Sequence, residues 1–459
     1  MAADGSQRST DRHLTRRQGT ALRERDGTAS DAPAPGRLAA LAALRRGHGR
    51  RGALVLLAGT VSLLLYEVVR QAQHFPMVDM VVYRDEGDAV RHGHDLYAML
   101  VPSWKLYATY PPFAALMFLP TTYLPVPALR AVVTCANLAL LGALARLSFR
   151  LVGWPRQRLR PLGVVVAVGA GVWLEPVYTT LRYGQINLLI ACLVLADLTR
   201  PDHARGKGLL IGIATGIKLT PGVFGVYLLL SGRPRAALVS FAGFAGTVLL
   251  GWTALPQASW SFWSRYLFDS NRVGAAWIVD NQSLRGALAR LLHEEHPGLS
   301  WMLAAGLTAA AGLSIAVWAA RSGHCLPHAD AWGAVCAALT ALLISPISWT
   351  HHWVWCVPIL VLLAAESAAE LARPPGVRHL RWRLLLGTGV LAFAGYGMWL
   401  TPHHPVPRSL HLTAWQQLPG AVYPAFGLLL LGVALVRTVR RQRATGARGF
   451  ALLPGQRSR

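Results

Sequence analysis

Residues 208–231 read GLLIGIATGIKLTPGVFGVYLLLS, an apolar stretch interrupted at Lys218 and Pro221. Taken as one straight membrane helix, it places either Arg200, Arg205 and Lys207 or Arg233 and Arg235 on the wrong side of the bilayer, because basic loops collect on the cytoplasmic side. A break at Lys218-Leu219-Thr220-Pro221 makes the stretch a hairpin and restores the alternation. Proline removes a backbone donor and supports that break. An ammonium at membrane depth costs about 2.5–3.5 kcal/mol on insertion scales, so Lys218 either snorkels from the break to water or lines a cavity and meets an anion.

Working outward in windows of about 20 apolar residues, with shorter ones allowed inside a bundle, helices are expected near 53–69, 128–149, 162–179, 186–199, 208–217, 221–231, 236–255, 299–320, 331–346, 352–369, 384–400 and 420–437. The count is about 12, and even. Arg37 to Arg51, Arg150 to Arg160, Arg200 to Lys207, Arg233 with Arg235, Arg321, Arg373 to Arg383 and the chain from Arg437 then fall in the cytoplasm, as do both termini. The outer face receives 70–127, 180–186, the hairpin tip near 218–221, 256–298, 346–352 and 401–419. The first apolar run, Ala53 to Val69, is closed by Glu67, Arg70 and Gln71 rather than by a small-residue cleavage site, and is read as a retained helix.

Composition agrees with a multi-pass protein of the plasma membrane. The 459 residues are 53% hydrophobic and 14% charged, too apolar for soluble domains of this length. The net charge of +24 sits in the tails and short loops, with no basic face or RNA-binding motif, so nucleic acid is not an expected partner. Membrane lipids are. Cys135, Cys192, Cys325, Cys336 and Cys356 form no CxxC pair and are read as packing residues. The expected organisation is a disordered basic tail over 1–51, a membrane domain over 52–437 and a second basic tail over 438–459.

The chemistry-bearing residues gather in the outer segments. Asp79 stands at or near the start of a short interfacial helix with Met80-Val81-Val82-Tyr83, as a catalytic carboxylate or as a helix cap; Val82 supplies no capping-box partner. Asp85, Glu86, Asp88 and Asp95 read as a solvated face. Tyr110-Pro111-Pro112-Phe113 is a rigid extended element that presents aromatic faces to a sugar or lipid, or simply turns a loop into a helix. The amides of Gly184-Gln185-Ile186-Asn187 and of Asn281-Gln282-Ser283 either cap helices or hydrogen-bond hydroxyls. His351 and His352, in Ser345-Pro346-Ile347-Ser348-Trp349-Thr350-His351-His352-Trp353, suit a phosphate better than a metal, because no third and fourth ligand has metal-site spacing. His293-Glu294-Glu295-His296 has the wrong spacing for HExxH. With no nucleotide-binding motif, energy for chemistry must arrive in the substrate, and no cofactor is expected.

Taken in order, Val78-Asp79-Met80-Val81-Val82-Tyr83, Gly93-His94-Asp95-Leu96-Tyr97, Tyr110-Pro111-Pro112-Phe113, Gly184-Gln185-Ile186-Asn187-Leu188, Gly212 through Lys218-Leu219-Thr220-Pro221, Asn281-Gln282-Ser283-Leu284 and Ser345 through His352 resemble glycosyltransferase family 87, the actinobacterial polyprenol-phosphate-mannose-dependent α-1,2-mannosyltransferases. The resemblance covers roughly residues 53–370. It implies a GT-C-type bundle with an extracytoplasmic active site, moving mannose from a polyprenyl-phosphate donor to a hydroxyl of a lipid-linked, glycan or polysaccharide acceptor in cell-envelope biosynthesis. The family's catalytic acid falls on Asp79, its lysine on Lys218 and its histidine on His351 or His352. Tyr83, Arg84, Tyr97, Tyr110, Gln185, Asn187, Asn281 and Gln282 complete the expected substrate-binding set. Asp79 would act as the base in an inverting attack, with the cationic groups taking the place of a metal. Competing readings are transfer of another sugar such as arabinose from the same kind of donor, a transporter or lipid flippase built round Lys218, and a membrane scaffold.

Overall fold

The computed structural model describes residues 35–374, 380–402 and 409–451. The chain is an all-helical membrane protein. Among the described residues the only strands are Leu100–Val101 and Leu106–Tyr107, an antiparallel pair joining Leu100 to Tyr107 and Val101 to Leu106. Among the described residues six helices are long and apolar enough to cross a membrane: Gly49–Ala72, Val126–Val152, Pro234–Ala254, Gly298–Arg321, Thr350–Leu371 and Val422–Ala444. A bent pair, Gln157–Gly171 with Glu175–Tyr183, would make a seventh.

That bend of 74° replaces the straight helix expected over 162–179. Leu174 is extended and Pro176 occupies the first turn of the new helix, where a missing amide hydrogen costs nothing. At the chain ends the first helix is Pro35–Ala72 and the last is Val422–Ala451, so residues 35–51 and 438–451 are helical where tails were expected. Ala and Arg, which recur in both stretches, are strong helix formers. The rest of both tails lies outside the described residues.

The break at Lys218 is present. Leu209–Ile217 and Gly222–Leu230 are separate helices, and Lys218 between them is extended at φ −152° and ψ 127°. Their ends away from the break return to the same place, because Asp202 pairs with Lys207 at 2.7 Å and with Arg233 at 3.1 Å. Arg233 also reaches Asp330 at 2.8 Å, and Arg321 donates to the Leu230 carbonyl at 2.8 Å. The basic loops around 200–207, 231–235 and 321–330 therefore share one end of the bundle.

Ala329–Ile344 runs through the centre, with every residue buried except Asp330 and Ile344. A helix apolar on all sides beyond its first turn, apart from Thr340, satisfies its own backbone and packs on every side. Small residues allow the closest contacts: a Cβ at Gly212 would collide with the backbone of Ser240 and Gly243, so the hairpin helix and Pro234–Ala254 meet almost backbone to backbone. At the end opposite the basic loops lie the helix Val78–His92, the short helix Pro112–Phe118, the segment 256–298 and the turn Thr350–Trp355.

Candidate active site

The helix Val78–His92 starts from Met77, whose left-handed backbone makes no side-chain cap, so Asp79 is not used as one. The Met77 amide donates to the Arg182 carbonyl at 3.1 Å, which docks this helix on the end of Glu175–Tyr183. Gly184, at φ 71°, makes that approach possible; a Cβ there would lie 2.7 Å from the Met80 side chain. Asp79, Tyr83 and Glu86, spaced i, i+4 and i+7, then share one helix face.

Gln185 and Asn187 enter from the turn between helices. Gln185 Oε1 accepts from Tyr83 OH at 2.8 Å, from Asn187 Nδ2 at 3.2 Å and from Tyr110 OH at 3.5 Å. With that oxygen occupied, the Gln185 amide nitrogen is left to face Asp79. Tyr83 and Tyr110 hydroxyls are 3.0 Å apart, their rings edge to face. Pro111 is extended and Pro112 opens the next helix, so the YPPF element both turns the chain and aims Tyr110.

Lys218 is the hub. Its Nζ donates to Asn187 Oδ1 at 3.1 Å and to Tyr110 OH at 3.4 Å, and lies 2.9 Å from His352 Nε2. Since an ammonium has no acceptor, His352 Nε2 must be the unprotonated nitrogen in this arrangement. His351 sits differently. Its carbonyl accepts from Asn187 Nδ2 at 3.1 Å and Thr180 Oγ1 at 3.3 Å, and its buried Nε2 has no partner.

Asp79 lies deep beneath the surface but keeps part of its own surface open. Burial pushes its carboxyl up to about 6, while the Gln185 amide and the Lys218 charge pull the other way. Glu86, expected on a solvated face, is instead 1% exposed with neither carboxyl oxygen in a well-formed hydrogen bond. Burial pushes it up to about 8, opposed by the nearby Thr109 amide and reinforced by Asp79.

Beyond Lys218 a cleft opens between helices. Asn187, Lys218, His352, Ser345 and Ser348 line it on the polar side; Ile190, Val194, Phe224, Leu342, Val354 and Trp355 line the remainder. The structure thus brings together Asp79, Tyr83, Tyr110, Gln185, Asn187, Lys218 and His352. Tyr97 stands behind them, buried, with its hydroxyl donating to the Tyr110 carbonyl at 2.8 Å. Arg84 is the next residue round the helix from Tyr83, with a buried Nε that lacks a hydrogen-bond partner.

Asn281 and Gln282 are fully buried and bonded to backbone. Asn281 Oδ1 accepts from Ser348 N at 2.9 Å and Ser283 N at 3.2 Å, and its Nδ2 donates to Ala276 O at 2.8 Å and Pro346 O at 3.2 Å. Gln282 Nε2 donates to Val279 O and Gly420 O, both at 2.7 Å. They fasten the segment that carries the histidines. Two groups escape a reading of the sequence alone. The i+7 spacing from Asp79 puts Glu86 on the same helix face but does not reveal its burial, and nothing in the local sequence marks Arg272, which braces the loop leading to Tyr110.

A bundle of apolar helices, with a lysine–histidine pair lining an amphiphilic cleft and a buried carboxylate in the same polar network, is the architecture of a membrane enzyme. Residues 108–346 match glycosyltransferase family 87, and the chain belongs to that family. It is 34% identical over 398 residues to the "polyprenol-phosphate-mannose-dependent alpha-(1-2)-phosphatidylinositol mannoside mannosyltransferase" of Mycobacterium tuberculosis (strain ATCC 25618 / H37Rv), covering 83% of this chain and 89% of the relative. It is 35% identical over 364 residues to the "polyprenol-phosphate-mannose-dependent alpha-(1-2)-phosphatidylinositol pentamannoside mannosyltransferase" of Mycolicibacterium smegmatis (strain ATCC 700084 / mc(2)155), covering 77% and 84%. No solved structure matches the chain.

Proposed function

We propose that this glycosyltransferase moves a mannosyl residue from polyprenyl phosphate to a hydroxyl of a phosphatidylinositol mannoside-type glycolipid, on the extracytoplasmic face and with inversion. The observation that carries this reading is the cleft: a cation, an imidazole and an amide at one end and apolar walls beyond suit a phosphate joined to an isoprenoid chain. The names of the relatives supply the sugar and the acceptor class.

In this mechanism the acceptor hydroxyl oxygen attacks the anomeric carbon from the face opposite the phosphate, and its proton passes to Asp79. The bond from that carbon to the phosphate oxygen breaks, and its electron pair leaves with polyprenyl phosphate. Because the leaving group is a phosphate, no general acid is needed, and one carboxylate suffices where a glycosidase uses two. Lys218 and Asn187 stabilise the charge released onto the phosphate. Of the two histidines, His352 is the one assigned to the donor, since it touches Lys218 and lines the cleft, while His351 holds its turn through the carbonyl.

The sidedness and the GT-C-type count of about 12 passes belong to the same proposal, with both termini cytoplasmic. The gathering of the basic loops at the end away from Asp79 and Lys218 supports them. The test compares polyprenyl-phosphate mannose, decaprenyl-phosphate arabinose and a nucleotide-linked mannose as labelled donors, in membranes carrying the protein with phosphatidylinositol mannosides added. Label from the first donor alone supports the proposal; label from arabinose or the nucleotide sugar, or from none, rejects it.

A further inference from the structure

The outer segment that carries Asn281 is fastened a second time, nine residues earlier, by Arg272 in the turn Ser270–Val273. Arg272 Nε donates to the Ala108 carbonyl at 2.9 Å, and its Nη2 donates to the Tyr97 carbonyl. The same guanidinium lies 4.4 Å from the centre of the Tyr266 ring, 4.5 Å from that of Tyr107 and 5.8 Å from that of Tyr97. The two carbonyls flank the Leu100–Tyr107 hairpin on either side. Its strands are two residues each, too short to hold themselves in register. Arg272 therefore closes the neck of the hairpin from outside, using the fork geometry and ring stacking that a lysine lacks.

Tyr110 comes directly after that neck in the chain. The Tyr97 hydroxyl, on a ring held against Phe262 and Tyr266, donates to the Tyr110 carbonyl at 2.8 Å. The Tyr110 hydroxyl then meets Lys218 at 3.4 Å and Tyr83 at 3.0 Å. At its other end the same segment holds Pro346 and Ser348, just ahead of His352, through Asn281. One outer strap thus braces both the tyrosine and the histidine that touch Lys218.

We propose that Arg272 is a positioning residue for sugar transfer, acting through Tyr97 and Tyr110 to hold the Tyr110 hydroxyl against Lys218. This rests on the proposed function, in which Lys218 receives the donor phosphate. A misplaced hydroxyl weakens stabilisation of the departing phosphate more than it weakens ground-state binding, so the effect falls on kcat.

The test measures mannose transfer from polyprenyl-phosphate mannose by the full-length protein in detergent, normalised to folded enzyme, for wild type, Arg272→Met, Arg272→Lys, Tyr110→Phe and the Arg272→Met/Tyr110→Phe double variant. Arg272→Met is expected to lower kcat about tenfold with donor KM within about twofold. Arg272→Lys should recover part of the loss. The double variant should be no slower than Tyr110→Phe alone, because both act on one hydroxyl. Multiplicative losses in the double variant, or a loss confined to folded yield, overturn the proposal. Hydrogen exchange on the same proteins is independent of activity. Arg272→Met should speed exchange across 97–111 while leaving the helix Asn187–Leu198 unchanged, and unaltered exchange at 97–111 overturns the proposal. If wild type transfers no mannose, the assignment of function fails and the exchange result still decides whether Arg272 braces Tyr110.

Discussion

Replacing Asp79 with Asn removes a carboxylate that interacts electrostatically with Lys218 while keeping the size of the side chain and an acceptor for the Gln185 amide. A positioned general base contributes about 10²- to 10⁴-fold, so transfer by Asp79→Asn should fall by that amount at neutral pH. The pH profile is the sharper test. Burial places the Asp79 carboxyl at about 6, so its basic form drops from about nine-tenths at pH 7 to about one-tenth at pH 5. Wild-type kcat/KM should follow, falling about tenfold over that interval, and the residual activity of Asp79→Asn should lack this limb. Lys218 lowers the same carboxyl, so Lys218→Met should move the limb to higher pH while reducing the rate. Stability supplies a control. An acid whose carboxyl is raised by folding destabilises the native state as pH rises through its unfolded value, so the Asn variant should be at least as heat-stable as wild type at pH 7. The assay is transfer of labelled mannose from polyprenyl-phosphate mannose between pH 5 and 8 by protein shown to be folded. If Asp79→Asn keeps more than about a tenth of wild-type activity, or retains the acidic limb, Asp79 is not the base.

Glu86→Gln should preserve transfer to within about threefold, because at neutral pH the buried acid is mostly uncharged; its stability advantage over wild type should grow from pH 4.5 to about 8 and then level off, as thermal melts would show. Lys218→Met should lower kcat by about 10²-fold or more, and His352→Ala should cost more kcat per folded molecule than His351→Ala; the reverse order would move the donor contact to His351. Asn281→Ala deprives Ser348 N, Ser283 N and two carbonyls of partners at a fully buried site and should destabilise the protein by about 2–4 kcal/mol in denaturant titration. Transfer should be insensitive to EDTA, since Lys218, Asn187 and His352 surround the position assigned to the phosphate; inhibition reversed by Mg²⁺ or Mn²⁺ would refute that arrangement.

Much of the candidate site is legible in the chain because its groups are anomalies in their surroundings. Lys218 stands out in an apolar run, Asp79 follows a membrane helix, and Gln185 and Asn187 stand at the start of a short apolar helix; each has a physical cost or a local signal that names it. Glu86 is misread from sequence because charge is normally a mark of exposure, and only packing of the helix face against the 109–118 segment reveals that it is buried. Asn281 and Gln282 offer the same amides as Gln185 and Asn187, yet besides local backbone partners they bond to backbone groups 65 to 138 residues away. No local pattern separates those two uses.

The sequence by itself determined the class of fold, the break at Lys218 and the family, because each depends on composition, charge alternation or ordered motifs that are local along the chain. The tertiary structure decided the 74° bend before Glu175, the partner of each amide, the placing of His352 rather than His351 against Lys218, and the bracing of Tyr110 by Arg272. Those depend on where distant segments meet, and a side chain's role is set by the group facing it across the fold.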